Sequence, residues 1–171
     1  SALEGLLDAG VRPLQITEIL EPLYRMQESW ERLLSLHEVQ LHFLESSDDR
    51  VSLMHRMVEI AETQAGDAAA ASLWMQRALL ENPADEQSIA ECERLAGALN
   101  EWEQLADTYA EAIESTQSAE AKVDLGRRLA RVYEEELGDV DRAEAAFRFV
   151  LSVKPTDEDS LVALDRIYVA N

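Results

Sequence analysis

The chain has 171 residues, of which 47% are apolar, and a formal net charge of −20 at pH 7. That apolar fraction argues against disorder. Glycine and proline, which disfavour helices, are scarce at six and four residues, and strong helix formers are abundant. This composition predicts an all-α fold. The acidity argues against nucleic acid, which is bound by clustered Lys and Arg, and against an anionic membrane surface. The charge is therefore interpreted either as a solvated surface or as a means of recruiting basic partners.

Cys92 is the single cysteine, so no internal disulfide and no cysteine-based metal motif is expected. No apolar run approaches the ~20 residues of a membrane span, and no signal peptide is recognisable. Because the chain begins at Ser1 without a methionine, we expect a segment that lacks the native N-terminus. The localisation is left open by the sequence, and the cytoplasm is favoured. Lys122 and Lys154 are the two lysines among 15 basic residues, and the remaining 13 are arginines, a bias that favours a bacterial origin.

The first predicted elements are N-terminal helices over residues 2–28, in which Pro22 should kink or split the chain. A longer helix follows between Asp48 and Gln64. There Val51, Met54, Val58 and Ala61 recur at three- and four-residue steps, which is the spacing of an amphipathic helix.

Gly66 is predicted to end that helix, and Asp67 to cap the next one, which runs to about Glu81. The Asn82-Pro83 pair stops this second helix, because the residue before proline avoids helical geometry. A third helix is predicted from an Asp85 cap to about Leu99.

Asn100 is predicted to cap a helix over Trp102–Ser115, and Ser118 to begin another that runs to Leu137. The Gly138-Asp139 pair then repeats the punctuation seen at Gly66-Asp67. Connections of two to five residues should place consecutive helices antiparallel.

An internal repeat is the strongest signal in the sequence. The segment Gly66–Leu95 aligns without a gap on Gly138–Ile167 at an offset of 72 (138 − 66), and nine of its 30 positions are identical. The offset extends upstream, where Trp30-Glu31-x-Leu33 falls on Trp102-Glu103-x-Leu105. We therefore predict one array over 1–171, with superunits at about 23–94 and 95–166 and residues 2–28 as a partial unit.

The repeat resembles the tetratricopeptide family. Leu129-Ala130-x-x-Tyr133, followed by Ala143-x-x-x-Phe147-x-x-Val150 and Pro155, matches the family's small and large positions and its closing proline. The resemblance covers roughly Gln15 to the end and implies a right-handed α-solenoid of antiparallel helix pairs. The family's small-residue position falls at Leu33, Ala71, Leu105 and Ala143. The steps between these positions therefore alternate as 38, 34 and 38 (71 − 33, 105 − 71 and 143 − 105), where the family period is 34.

No catalytic motif is recognisable, so we expect no enzyme, no cofactor and no metal site. His37 and His42 are five residues apart and lie on different helix faces, unlike the i, i+4 pair of a helical metal site. All three histidines, His55 included, are interpreted as ordinary surface or interface residues.

Family members line their concave groove with the first helix of each pair, and this resemblance implies a groove here. Carried over by position, it contains Arg94, Arg127, Arg131 and Arg166, together with His55 and Glu59. Such arginines could bind a carboxylate or an acidic peptide through forked hydrogen bonds. The alternative is local charge pairing, with Glu135 for Arg131, Asp124 for Arg128 and Glu91 for Arg94.

The function favoured by the repeat is a protein-interaction scaffold that binds a peptide or partner domain in this groove. The alternatives are a structural spacer or self-association segment, or a regulatory arm, of a larger protein. The chain ends at Asn171 where another Trp-Glu helix would be due. The last helix, with Leu161, Leu164, Ile167 and Tyr168, would then expose an apolar stripe suited to a homodimer.

Overall fold

A computed structural model describes residues 13–170, which contain helices and no strand, and the predicted all-α class is confirmed. The part of the predicted N-terminal helices before residue 13 lies outside the described residues. The α-helices in the described range are α1 (Pro13–Met26), α2 (Trp30–Leu41), α3 (Ser47–Glu59), α4 (Ala68–Glu81), α5 (Glu86–Leu99), α6 (Trp102–Ser115), α7 (Ala119–Arg131), α8 (Val140–Val153) and α9 (Glu158–Ala170).

The chain divides into two compact units, Ser1–Asn82 and Pro83–Asn171. The first contains α1 to α4 and the second α5 to α9, and within each unit every helix packs against the next. The short connections place these neighbours antiparallel, as predicted for stacked helix pairs. The single array over 1–171 and its superunit boundaries stay predictions.

Three of the predicted helix caps are confirmed. Asp67, Asp85 and Ser118 each accept a hydrogen bond from the backbone N–H three residues later, at 2.9, 2.8 and 3.2 Å. The prediction for Asn100 is wrong, because this residue ends α5 with φ 57° and does not cap α6. Asparagine tolerates the left-handed conformation better than most residues. It therefore acts at a helix C-terminus here.

The alternation of long and short repeat steps comes from the length of the first helix in each pair. Two of these helices continue as a five-residue π-turn, Ile60–Gln64 after α3 and Val132–Glu136 after α7. With these turns they span 47–64 and 119–136, whereas α5 spans only 86–99. Each of the two is four residues longer than α5, which equals 38 − 34, so the longer step is one extra helical turn.

A glycine in the left-handed conformation follows each π-turn after one further residue. These glycines are Gly66, with φ 69°, and Gly138, with φ 65°. This conformation costs glycine little because it has no Cβ. Helix α1 runs through Pro22 without interruption, so the split that Pro22 predicted does not occur.

Candidate functional site

A cleft of about 500 Å³ lies between α7 and α9 in the second unit. Three of the predicted groove arginines line it, namely Arg127 and Arg131 from α7 and Arg166 from α9. The other lining residues are apolar or acidic, and they are Phe147, Val162, Ala163, Glu134, Glu135, Glu158 and Asp159. We call this site the arginine cleft.

The helices present these side chains because their opposite faces are buried. On α7 the buried positions include Leu125 and Leu129, and Arg127 and Arg131 follow each other at a four-residue step on the other side. The start of α9 is fixed by Asp157, which accepts hydrogen bonds from the Ser160 backbone N–H at 3.2 Å and from its hydroxyl at 2.8 Å.

Arg127 connects α7 to the start of α9 through ion pairs. It donates a hydrogen bond to Asp159 at 2.8 Å and lies 3.6 Å from Asp157 and 3.8 Å from Asp124. Burial raises the pKa of Asp157, but the hydrogen bonds from Ser160 and the charge of Arg127 outweigh it and hold the pKa below its ordinary value. Arg127 therefore has a structural role in the cleft wall.

Arg166 is also engaged, because it donates to both carboxylate oxygens of Glu134 at 2.7 Å. This pair joins α9 to the π-turn after α7 across the cleft. Because Arg166 already bonds both oxygens of the Glu134 carboxylate, its guanidinium is less available to a ligand.

Arg131 differs from both neighbours. Its side chain is exposed and forms no hydrogen bond or ion pair within the described residues, so the predicted pairing with Glu135 is not formed. Glu135 and Glu158 are likewise exposed and unpaired in that part of the chain. The cleft thus combines one available cation, two available anions and an apolar floor that includes Phe147.

A second cleft of about 710 Å³ adjoins the first, and Arg127 lines both. Its wall includes Ile89 from α5, Val123 from α7, and Lys154 after α8. Sequence reasoning missed these residues, and it missed Phe147, which the repeat pattern marks only as a packing position. From the sequence, Glu135 is predicted only as a pairing partner of Arg131, and Glu134 could have been found by the three-residue step from Arg131.

The remaining predicted groove residues lie elsewhere. Arg94 on α5 is exposed, bonds Glu91 at 2.9 Å as the local-pairing alternative predicted, and lines neither of the two clefts. His55 and Glu59 belong to α3 in the first unit. Glu59 lines a smaller cleft of about 200 Å³ there, beside Trp30.

The histidines are not one class. His42 is exposed and His55 is half-buried, but His37 is completely buried, so its interpretation as a surface or interface residue is wrong. Its ring fills a core position of α2. Cys92 is buried as well, and burial raises the pKa of its thiol to about 12, which makes it a weak nucleophile.

Among residues 13–170 there is no cluster of His, Cys, Asp or Glu that could hold a metal ion. Over the same range no helix combines the length and the apolar character needed to cross a membrane.

No protein-family model and no curated protein matches the chain. Among solved structures, a crystal structure of MamA is 14% identical, with 88% of this chain and 83% of that chain covered and a TM-score of 0.48. A second crystal structure of MamA protein is also 14% identical, with 92% and 81% covered and a TM-score of 0.47. The fold assignment rests on the helices themselves: the described chain is an all-α helical-repeat protein.

Proposed function

We propose that this protein is an interaction module that binds a peptide segment of a partner protein in the arginine cleft. The observation that carries the proposal is Arg131, an exposed guanidinium without a partner in the described residues, placed between two arginines that are engaged. An unpaired guanidinium in a concave site is suited to a carboxylate, with charge-assisted hydrogen bonds worth about 1.5–3 kcal/mol each.

The other lining residues define the rest of the peptide. Val162 is 69% exposed and lines the cleft together with Phe147, so an apolar side chain of the peptide would gain burial there. Glu135 and Glu158 favour a basic residue close by. We therefore expect a short segment that carries an acidic, an apolar and a basic residue. The proposal assigns no catalytic step.

Selection from a random peptide library displayed on phage tests the proposal, with the enriched peptides measured by fluorescence anisotropy. We expect Arg131→Glu to weaken binding at least tenfold, since repulsion replaces a charge-assisted bond. Arg32→Glu is the matched control, because Arg32 is exposed on α2 in the other unit. It should leave the affinity within twofold.

Arg131 is a better target than Arg127, because the ion pairs of Arg127 fix α9 and their loss would disturb the cleft itself. Peptides that bind Arg131→Glu as well as the unaltered chain would place binding elsewhere. A library that yields no enriched peptide would contradict the proposal as a whole. Self-association through α9 stays a prediction that light scattering decides.

A further inference from the structure

The first unit contains a pocket of about 200 Å³ where the end of α1, the start of α2 and the end of α3 with its π-turn meet. Two arginines, Arg25 and Arg56, line the pocket together with Trp30. Trp30 is half-buried and packs against the core cluster that contains Ile60, another residue of the pocket wall. The pocket thus combines a fixed apolar wall with two guanidinium groups, and we call it the Trp30 pocket.

Arg56 is the cation of this pocket that is available to a ligand. Its side chain is exposed and forms no hydrogen bond or ion pair within the described residues. Arg25, in contrast, donates two hydrogen bonds to Glu21, at 3.0 and 3.2 Å. Of the two guanidinium groups, that of Arg56 is therefore free to form a fork of two hydrogen bonds with an external oxyanion.

The repeat explains why Arg56 has no partner. Its equivalent 72 residues later, Arg128, donates hydrogen bonds to three carboxylates. These belong to Glu86, Glu93 and Asp124, at 3.1, 3.2 and 2.8 Å. In the first unit two of the three carboxylates are missing, because Leu14 and Ser52 stand at the places of Glu86 and Asp124.

The third carboxylate has a counterpart in Glu21, which is bonded to Arg25. The second unit has Gly97 at the place of Arg25, so no cation at that position competes with Arg128 for the carboxylate. The first unit therefore keeps the arginine of this site as Arg56 and withdraws all three of its internal partners. The charge left over is positive and lies in a concave wall.

The π-turn after α3 makes the pocket less acidic than the same region of the second unit. Thr63 and Gln64 line the pocket, whereas Glu135 and Glu136 stand at the equivalent positions. Gln64 Nε2 donates to Thr63 Oγ1 at 3.2 Å, and the second N–H of the amide is a further donor for a ligand. Glu59 is the acidic residue among the described lining residues. One free cation beside one carboxylate favours a singly charged anion over a dianion.

We propose that the Trp30 pocket binds a small organic carboxylate, with Arg56 donating two hydrogen bonds to its oxygens and Trp30 contacting its apolar part. A volume of about 200 Å³ equals that of roughly seven water molecules at about 30 Å³ each, which fits a small molecule. The pocket lies in the first unit and shares no described residue with the arginine cleft. The proposal therefore does not depend on the proposed function.

Benzoate is the probe, and its binding to the full chain is followed through the indole N–H signal of Trp30 in ¹H–¹⁵N NMR spectra. The signal is assigned by its loss in Trp30→Phe. We expect saturable shifts with a Kd on the order of 1 mM. Benzamide has a similar shape without the charge and should bind at least tenfold more weakly.

Two arginine variants locate the binding group. Arg56→Gln should weaken benzoate binding at the Trp30 signal at least tenfold, because the fork is lost. Its midpoint of thermal unfolding should stay unchanged, since Arg56 has no internal partner within the described residues. Arg131→Gln is the matched control, because it removes the other exposed and unpaired arginine discussed above. It should leave the response of Trp30 to benzoate within twofold.

Ser52→Asp tests the reason for the vacancy on the arginine. It introduces a carboxylate at the place of Asp124, four residues before the arginine, where Asp124 bonds Arg128 at 2.8 Å. We expect the new carboxylate to pair with Arg56 and to weaken benzoate binding at least fivefold without lowering the thermal midpoint. Ser52 is exposed, and the uncharged Ser52→Asn should change the affinity less than twofold. Glu59→Gln should act in the opposite direction and strengthen binding, because it removes a like charge.

Three results would overturn the proposal. The first is the absence of a saturable response of the Trp30 signal to benzoate. The second is benzoate binding that Arg56→Gln and Ser52→Asp both leave intact, since the anion would then be held by another group. The third is a stronger response to inorganic phosphate than to benzoate, because the pocket would then prefer an anion without an apolar part. Loss of peptide binding with Arg131→Glu would bear on the arginine cleft alone.

Discussion

A carboxylate, a buried ring and an arginine occur at the same three repeat positions in both units, but their contacts differ. In the second unit, the Tyr109 hydroxyl donates to Glu93 at 2.9 Å. Arg128 donates to Glu93 at 3.2 Å, to Asp124 at 2.8 Å and to Glu86 at 3.1 Å. Carboxylates from α5 and α7 thus share one cation, and the ring of α6 joins them.

In the first unit the equivalent residues, one superunit earlier, are Glu21, His37 and Arg56. Here Glu21 bonds Arg25 of its own helix at 3.0 Å, and the His37 Nε2 lies 4.0 Å from the Glu21 carboxylate without a hydrogen-bond partner. The other ring nitrogen lies 3.2 Å from Gln40. Arg56 is exposed and forms no ion pair within the described residues.

The comparison shows that equivalent repeat positions in the two units can form different polar contacts. In the second unit a cation connects α7 to α5. The first unit instead buries a titratable ring in its core. Changes at the paired positions should therefore have unequal effects, and this inequality can be measured.

The largest difference is expected at the two arginines. Arg128→Ala leaves the carboxylates of Glu93 and Asp124 without their cation, and we expect the free energy of unfolding to fall by about 2–3 kcal/mol. Arg56→Ala, the matched control, should change it by less than about 0.5 kcal/mol. Urea denaturation measures the free energy of unfolding of both variants, and an unchanged m-value shows that the comparison between them is valid. Equal losses for the two variants would show that the cation at this position contributes the same in each unit.

The next difference between the units concerns the volume of the side chains that face each other between α7 and α8 and between α3 and α4. Gly126 and Val150 stand at the places of Met54 and Ala78 in the first unit, so the small and large residues are exchanged between facing helices. A Cβ added at Gly126 would lie 2.7 Å from Val150 Cγ2.

We therefore expect Gly126→Ala to destabilise the chain by about 1 kcal/mol. This is the net of an overpacking cost of about 1–3 kcal/mol and a gain of roughly 0.5–1 kcal/mol from replacing a helical glycine. Addition of Val150→Ala should recover part of the loss, so that the double variant is more stable than additivity predicts. A stabilised Gly126→Ala variant would show that α7 and α8 can separate at no cost.

Much of the fold follows from local signals in the sequence. Asp67, Asp85 and Ser118 mark helix starts because their side chains bond the N–H three residues later, and this geometry needs no distant partner. Gly66 and Gly138 mark helix ends for an equally local reason. The π-turns were not predicted, since a 3.6-residue period continues through Ile60 and Val132 without showing the wider turn.

The candidate site was predictable only in part. The repeat register indicates that Arg127, Arg131 and Arg166 share one side of the array. It does not show that Arg127 is held by Asp159, a partner on another helix, while Arg131 stays available. These outcomes depend on how two helices meet in three dimensions. The burial of His37 was missed for the same reason.

The smallest expected difference is in pH dependence, and it arises from His37. Burial lowers the pKa of this ring below its ordinary value, against the hydrogen bond with Gln40 and the charge of Glu21, which raise it, while Arg56 and Arg25 lower it further. Between that lowered pKa and the ordinary value of about 6.5, the unfolded chain binds a proton that the folded chain does not. The free energy of unfolding therefore falls as the pH drops below about 6.5, by at most about 1.4 kcal/mol per pH unit.

His37→Gln should flatten the stability profile between pH 7 and 5.5, and the exposed His42→Gln should leave the slope unchanged. Tyr109 cannot replace this sensitivity in the second unit, because burial raises the pKa of its hydroxyl away from this range. Amide hydrogen exchange at the two pH values separates the units, since α2 should lose protection on acidification while α6 keeps it. Equal loss in both helices, or a slope that survives His37→Gln, would assign the acid response to groups other than His37.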